Sequence, residues 1–293
     1  MKTNLYIGTA GWSYKDWFPV FYPKSQSKQF DWLKYYANYF NCVEVNSSYY
    51  TYIAKSTAEQ WIRKIEHVDD FLFTIKLHQD FTHVRNYNSE KVNQSETIFN
   101  LLKNNERLGG ILLQFPYSFY FNSNNLEYLS KLAEVFSGYK RNIEVRHASW
   151  LHKDAIHFFT ENNLSLCLID QPEMNSVINI NPIITNKTFY LRLHGRNKEG
   201  WQNSIKSFGQ KQTYEQQNSR YNYLYSISEL IEIESKIKES LEQVEEIFII
   251  TNNHPQGNAV VNALEFKFLL NGREEIEVPQ NLLENFKRLT LIS

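Results

Sequence analysis

The chain has 293 residues, with 31 Lys plus Arg against 32 Asp plus Glu, 42% hydrophobic and 15% aromatic content. That length suits one large α/β barrel or two average domains, with apolar side chains enough for a sizeable core. The charge balance speaks against a grip on nucleic acid by bulk charge, and the two cysteines, Cys42 and Cys167, form no disulfide framework and no zinc pattern.

Strand-like runs recur along the whole length. They are read at Leu5–Thr9, Cys42–Asn46, Leu72–Leu77, Ile111–Phe115, Asn142–Arg146, Ser165–Asp170, Thr188–His194 and Ile247–Asn252. Amphipathic stretches with apolar spacing of three and four lie between them. Phe30, Leu33, Ala37 and Phe40 mark the first helix. Ser56-Thr57-Ala58-Glu59 reads as a capping box opening the second, with Trp61, Ile62 and Ile65 as its buried stripe. Ile98, Leu101 and Leu102 belong to the third; Leu126, Leu129, Leu132, Ala133 and Phe136 give the fourth, with Gly138 as its expected stop. Ala155, Phe158 and Phe159 carry the fifth. The sixth connection, Gln171 to Lys187, has only a weak helical signal. Leu230, Ile233, Ile237 and Leu241 form the seventh, Ala259 to Leu270 the eighth, and a last helix opens at Pro279 and runs to about Leu289.

Strands alternating with helices imply βαβ units and a parallel sheet. Eightfold alternation favours a closed (β/α)8 TIM barrel, a single domain over residues 1–293, with an open doubly wound sheet as the alternative. One long polar insertion, about 195–225, follows the seventh strand; connections of that length are usually lids, binding loops or flaps. No apolar run is long enough to span a bilayer, and the N-terminal residues lack the h-region of a secretory signal, so the expected compartment is the cytoplasm.

Three runs share one design: Val43-Glu44-Val45-Asn46, Ile143-Glu144-Val145-Arg146 and Leu191-Arg192-Leu193-His194. Successive strand side chains point to opposite faces, so each run buries an apolar face and aims a pair of polar groups the other way. In a parallel barrel these groups meet at the C-terminal mouth, where such enzymes react. Glu44 and Glu144 are read as proton-transfer groups with His194 as acid or orienter. Arg146 and Arg192 would hold a carboxylate or phosphate through the guanidinium fork, with Lys76 in support. Asn46, Gln114 and Asn252 would position hydroxyl or amide groups, and Trp12 and Tyr49 would wall the mouth. Glu44, Glu144, Asp170, His194 and His254, with His83 nearby, form an alternative set of ligands for a divalent metal that would activate water. No H-E-x-x-H or comparable spacing is present, so no metal or cofactor is favoured. Gly8-x-x-Gly11 lacks the third glycine of a dinucleotide fingerprint.

These residues sit in blocks that resemble the DUF72 family, proteins of unassigned function with a TIM-barrel fold. The blocks are Gly8-Thr9-Ala10-Gly11-Trp12-Ser13-Tyr14, Phe21-Tyr22-Pro23, Val43 through Tyr50, Phe73-Thr74-Ile75-Lys76 with Thr82-His83, and Leu113-Gln114-Phe115-Pro116. They continue in Ile143 through His147 with Ser149-Trp150, Leu191 through Gly195, and Asn252-Asn253-His254 with Gly257, Ala259, Asn262 and Ala263. Two details depart from the family pattern. Tyr117 stands where a second proline is common, and the stretch after Gly195 is longer and richer in Gln. The resemblance implies the barrel and the same mouth, and supplies no reaction.

The reading is therefore an enzyme acting on a small anionic substrate, phosphorylated or carboxylated. The alternatives are a divalent-metal-assisted hydrolase or phosphodiesterase, and a non-catalytic barrel that binds nucleic acid or protein.

Overall fold

The computed structural model describes residues 3–172, 182–206 and 213–293. In chain order the strands are β1 (Asn4–Ala10), β2 (Cys42–Val45), β3 (Leu72–Lys76), β4 (Leu108–Gln114), β5 (Arg141–Glu144), β6 (Ser165–Leu166), β7 (Leu168–Asp170), β8 (Thr188–Leu193) and β9 (Glu246–Thr251). All pair in parallel, in the order β6-β5-β4-β3-β2-β1-β9-β8-β7. The two ends of that list, β6 and β7, flank the single residue Cys167, so they are halves of the predicted sixth strand and the sheet returns on itself. Cys167 N–H still donates to Ile143 of β5 at 2.9 Å, and Ser165 Oγ donates to the Thr188 carbonyl of β8 at 2.8 Å. The result is a TIM-like barrel, as the eightfold alternation implied.

Strand parity divides the core in two. Tyr6, Ala10, Cys42, Leu112, Cys167, Tyr190, Phe248 and Ile250 pack together inside the barrel. Their neighbours one residue along, among them Ile7, Val43, Phe73, Ile111, Ile143, Leu191 and Ile249, join the larger cluster under the helices. The interior is thus a packed plug, with Tyr6 and Tyr190 each stacked on Phe248. Because apolar side chains fill the interior, the strand ends above them are the place where interior polar groups can collect. Gly8 lets β1 approach β2: a Cβ there would sit 1.9 Å from the Cys42 carbonyl oxygen. The Tyr36 hydroxyl, which donates to that same carbonyl at 3.0 Å, uses this space.

Helices surround the sheet: α1 (Trp32–Tyr36), α2 (Lys55–Lys64), α3 (Gln79–Thr82), α4 (Ser89–Asn104), α5 (Ser123–Val135), α6 (Lys153–Glu161), α7 (Lys198–Lys206), α8 (Tyr214–Asn218), α9 (Ile227–Leu241), α10 (Asn258–Leu270) and α11 (Gln280–Asn285). Among the described residues none is long and apolar enough to cross a membrane. Two local expectations are corrected. The capping box at Ser56 does not form: Ala54 is the extended cap residue, which places Ser56 inside the first turn. The same S-x-x-E pattern does form at Ser226 and Glu229, opening α9. Gly138 does not stop α5, which ends at Val135; there the Arg141 guanidinium reaches back to the Ala133 carbonyl at 2.7 Å. Most of the sixth connection (173–181) lies outside the described residues.

Candidate functional site at the barrel mouth

β2, β5 and β8 end at one height on the interior face, and their charged side chains meet. Arg192 lies between two glutamates. Its Nη2 donates to Glu44 Oε1 at 2.6 Å and its Nη1 to Glu144 Oε2. Glu44 and Glu144 are wholly buried and Arg192 is 1% exposed. The second oxygen of Glu44 accepts from the Tyr190 hydroxyl at 2.9 Å, which is itself 2.8 Å from Thr74 Oγ1. Glu144 Oε1 accepts from Arg146 Nε at 2.9 Å and Nη2 at 2.8 Å. Burial alone would raise the Glu144 carboxyl, but Arg192 and Arg146 overcome it and hold the group well below the usual carboxylate range.

His194 completes the row, with Nε2 3.6 Å from Glu144 Oε1. The Asn252 amide nitrogen is 2.8 Å from His194 Nδ1. An NH2 group can only donate, so Nδ1 is the acceptor and the imidazole proton sits on Nε2. Burial, with Arg192 and Arg146 nearby, pulls the His194 pKa down to about 3 against the pull of Glu144, so the ring is neutral at physiological pH. Buried atoms without a hydrogen-bond partner among the described residues include Arg192 Nε, His194 Nε2 and Asn46 Oδ1 on the strand ends, and Trp201 Nε1 and Arg220 Nε above them.

Lys76, at the end of β3, stands beside this network. Its Nζ lies 4.3 Å over the Tyr49 ring, and that ring meets His83 edge-on at 5.0 Å. Gln114 is the partner of Glu144 in the β4–β5 register and is half-buried. Glu44, Glu144, Arg192, Arg146, His194, Asn252, Lys76 and Tyr49 thus all stand at the mouth, with Asn46 and Gln114 on its strand ends.

Three candidates are placed elsewhere. Trp12 turns to the helical layer, where its ring meets Trp61 of α2 edge-on at 5.6 Å. Asp170 has the outward parity of Leu168 and is held there: Arg196 Nε and Nη2 donate to it at 2.9 and 2.7 Å, and the Tyr225 hydroxyl at 2.5 Å. His254 stacks on Tyr14 at 4.3 Å, with Nε2 3.1 Å from Asn218 Oδ1. The five alternative metal ligands are therefore not assembled, and among the described residues no three His, Cys, Asp or Glu side chains form a metal-ligating group.

The described parts of the insertion, 195–206 and 213–225, lie over the mouth. Gly195 (φ +86°) turns the chain out of β8 at a point where a Cβ would stand 2.8 Å from Tyr223. Trp201 of α7 lies 5.5 Å from the Arg146 guanidinium, and its ring centre is 6.3 Å from His194. Tyr221 is 6.0 Å from His194, with the Arg220 guanidinium 4.7 Å over its ring. The returning end is clamped: Gly195 N–H donates to the Tyr225 hydroxyl at 2.9 Å, and Asn253 bonds the Tyr223 carbonyl and Asn262 at 2.8 Å each. Sequence reasoning missed Tyr190 and the insertion's Arg196, Trp201, Arg220 and Tyr221. Tyr190 was legible, since it shares the parity of Arg192 and His194; side chains in an irregular insertion carry no periodic signal.

A cavity of about 930 Å3 opens at the opposite, N-terminal end of the barrel, lined in part by Lys140, Lys187, Glu245 and Glu246. Size does not make it the site: its acids pair with its lysines, Lys140 with Glu246 at 2.5 Å and Lys187 with Glu245 at 3.9 Å.

The family model described as "Protein of unknown function DUF72" matches residues 6–284. The chain belongs to the DUF72 family. A UPF0759 protein, YunF of Bacillus subtilis strain 168, is 27% identical over 280 residues, covering 91% of this chain and 94% of that protein. A DUF72 family protein from Thermotoga maritima superposes with a TM-score of 0.79 at 32% identity, covering 92% of this chain and 99% of the other. One from Enterococcus faecalis V583 superposes with a TM-score of 0.77 at 24% identity, covering 94% and 97%, which speaks to the fold alone. The family is one of unknown function, so DUF72 membership carries the barrel and leaves the chemistry to the mouth residues.

Proposed function

We propose that this DUF72 barrel is an enzyme that holds a small phosphorylated or carboxylated molecule at its C-terminal mouth and acts on it by acid–base chemistry. One observation carries the reading: a buried Glu44–Arg192–Glu144 chain, joined to the partly exposed Arg146, stands beside unspent hydrogen-bonding atoms. Buried ion pairs of this kind contribute little to stability, and apolar side chains of similar volume do as well or better. Buried polar atoms without partners are rare in native proteins, and here Arg192 Nε, His194 Nε2 and Asn46 Oδ1 sit together at a barrel mouth.

The balance of charge favours an anion. The glutamates Glu44 and Glu144 are already matched by Arg192 and Arg146, and Arg220 adds positive charge at the same opening. Both Nη atoms of Arg192 are spent on glutamates, so Arg146, 13% exposed at its side chain and backed by Trp201, is the better anchor for a ligand. Glu144, held ionised by two guanidiniums, is a poor base, and the Asn252 amide orients His194 through Nδ1. Glu44 is left for proton transfer, and His194 donates from Nε2 as a neutral imidazole, which polarises a substrate oxygen without carrying charge.

The test is calorimetry with inorganic phosphate, sulfate and a panel of sugar phosphates and carboxylic acids, on the wild type and on Arg146→Met. Binding to the wild type, weakened at least about tenfold in the variant, is expected for a bidentate charged contact. No anion bound by the wild type, or equal affinity in both, refutes the proposal.

A further inference from the structure

We propose that Lys76 is a covalent nucleophile, and that the mouth takes an anionic aldehyde or ketone, held as an imine on Lys76 Nζ. This deepens the anion-binding reading and rests on it. The first observation is what Lys76 lacks. Among the described residues its Nζ makes no ion pair and no hydrogen bond, while both neighbouring arginines are bonded to carboxylates. The second is where it is held. Lys76 closes β3 two residues beyond Thr74, whose side chain points into the barrel at Tyr190. Its carbonyl accepts from Ser48 Oγ at 2.6 Å, which fixes the base of the side chain, and the Tyr49 ring lies under the amine. The side chain is half-buried, so a small molecule entering the mouth can reach it.

A lysine amine attacks carbonyls only when unprotonated, and burial beside other cations is the known means of freeing it. Burial and the Arg192 charge, with Arg146 also pressing, draw the Lys76 pKa down to about 7; Glu144 and Glu44 pull the other way. His83 and Tyr49 are the other titratable groups facing it. Burial, Lys76 and Arg146 pull the His83 pKa to about 4, so it stands neutral and does not compete for the positive charge, and burial pushes the Tyr49 hydroxyl up to about 12.

The step balances without a further reagent. The Nζ lone pair bonds to the carbonyl carbon while the C=O π pair moves to oxygen, and transfer of one nitrogen proton to that oxygen gives a carbinolamine. A second proton, taken from solvent, lets the oxygen leave as water and gives the protonated imine. Loss of a proton from the adjacent carbon to solvent leaves its electron pair in the neutral enamine; return of a proton to that carbon restores the protonated imine, and addition of water releases the carbonyl compound and the free amine.

The experiment uses the full chain, sodium cyanoborohydride and two aldehydes of similar size, anionic glyoxylate and neutral glycolaldehyde, at neutral pH, with adducts mapped by peptide mass spectrometry. The free-amine fractions predict glyoxylate modification of Lys76 at least about tenfold above that of the exposed Lys24, falling when phosphate is added. Lys76→Arg removes this adduct and, through its circular dichroism, shows whether the barrel still folds. Lys76 no more reactive than Lys24 toward either aldehyde overturns the inference, while phosphate binding measured by calorimetry judges the anion site independently. Enhanced labelling of Lys76 by both aldehydes alike, unaffected by phosphate, supports the nucleophile and overturns the anionic substrate.

Discussion

Arg192→Met tests the physical core of the site. Arg192 is the shared counterion of two buried glutamates, bonded to Glu44 at 2.6 Å and to Glu144. Glu144 keeps Arg146 at 2.8 Å when Arg192 is lost, but Glu44 keeps only the Tyr190 hydroxyl at 2.9 Å. Breaking a buried pair by removing one partner costs about 3 to 5 kcal/mol, because a desolvated charge is left without compensation. For a chain of this size that lowers the melting temperature by roughly 5 to 8 °C. The decisive variant is the double, Arg192→Met with Glu44→Gln. Neutralising Glu44 removes the orphaned charge, so the double variant should recover at least about half of the lost stability, although it removes a second member of the network. Urea unfolding of wild type, both single variants and the double gives the coupling directly. If the two substitutions add to within about 0.5 kcal/mol, Arg192 and Glu44 are not coupled and the buried-network argument fails.

Other measurements bear on the mouth and on the residues packed around it. Burial holds both His194 and His254 neutral, with pKa values pulled to about 3. The unfolded chain binds protons at these positions below about pH 6.5, so stability falls as pH drops from there toward about 3, each histidine contributing about 2 kcal/mol of loss by about pH 5. His254→Gln should therefore reduce the loss between about pH 7 and about pH 5 by about 2 kcal/mol in urea titrations, and an unchanged loss contradicts its buried neutral state. Tyr190→Phe removes the buried hydrogen bond to Arg192's partner Glu44 and should cost about 1 to 3 kcal/mol; a neutral result means Glu44 is satisfied elsewhere. Arg196→Met leaves buried Asp170 with the Tyr225 hydroxyl, a loss of about 3 kcal/mol accompanied by faster proteolytic cleavage between residues 195 and 225; cleavage at the wild-type rate shows that this ion pair does not anchor the insertion.

The elements that sequence periodicity revealed are those whose geometry repeats. Each of the eight predicted strands is present, because a strand of this barrel must alternate between the interior plug and the layer beneath the helices, and that alternation is written in residue types. The same rule places Glu44, Glu144, Arg192 and His194 on one side before any coordinates exist. It also reads Asp170 correctly once applied strictly: Cys167 faces inward, so Asp170, three residues on, faces outward, and its place at a strand end does not bring it to the mouth. Trp12 and His254 lie beyond their strands, where parity no longer constrains direction and neighbouring aromatics decide it. Two facts about Arg192 and Lys76 lie deeper. Both are cations at strand ends and look alike in sequence, yet one is saturated by two carboxylates and the other meets only an aromatic face. Which cation is spent and which is free depends on the distances between three strands far apart in the chain, set by barrel register, and register follows from the packing of the whole interior. The charge of a residue is legible in a sequence; its counterion is a property of the closed sheet, and the chemistry at this mouth follows from that pairing.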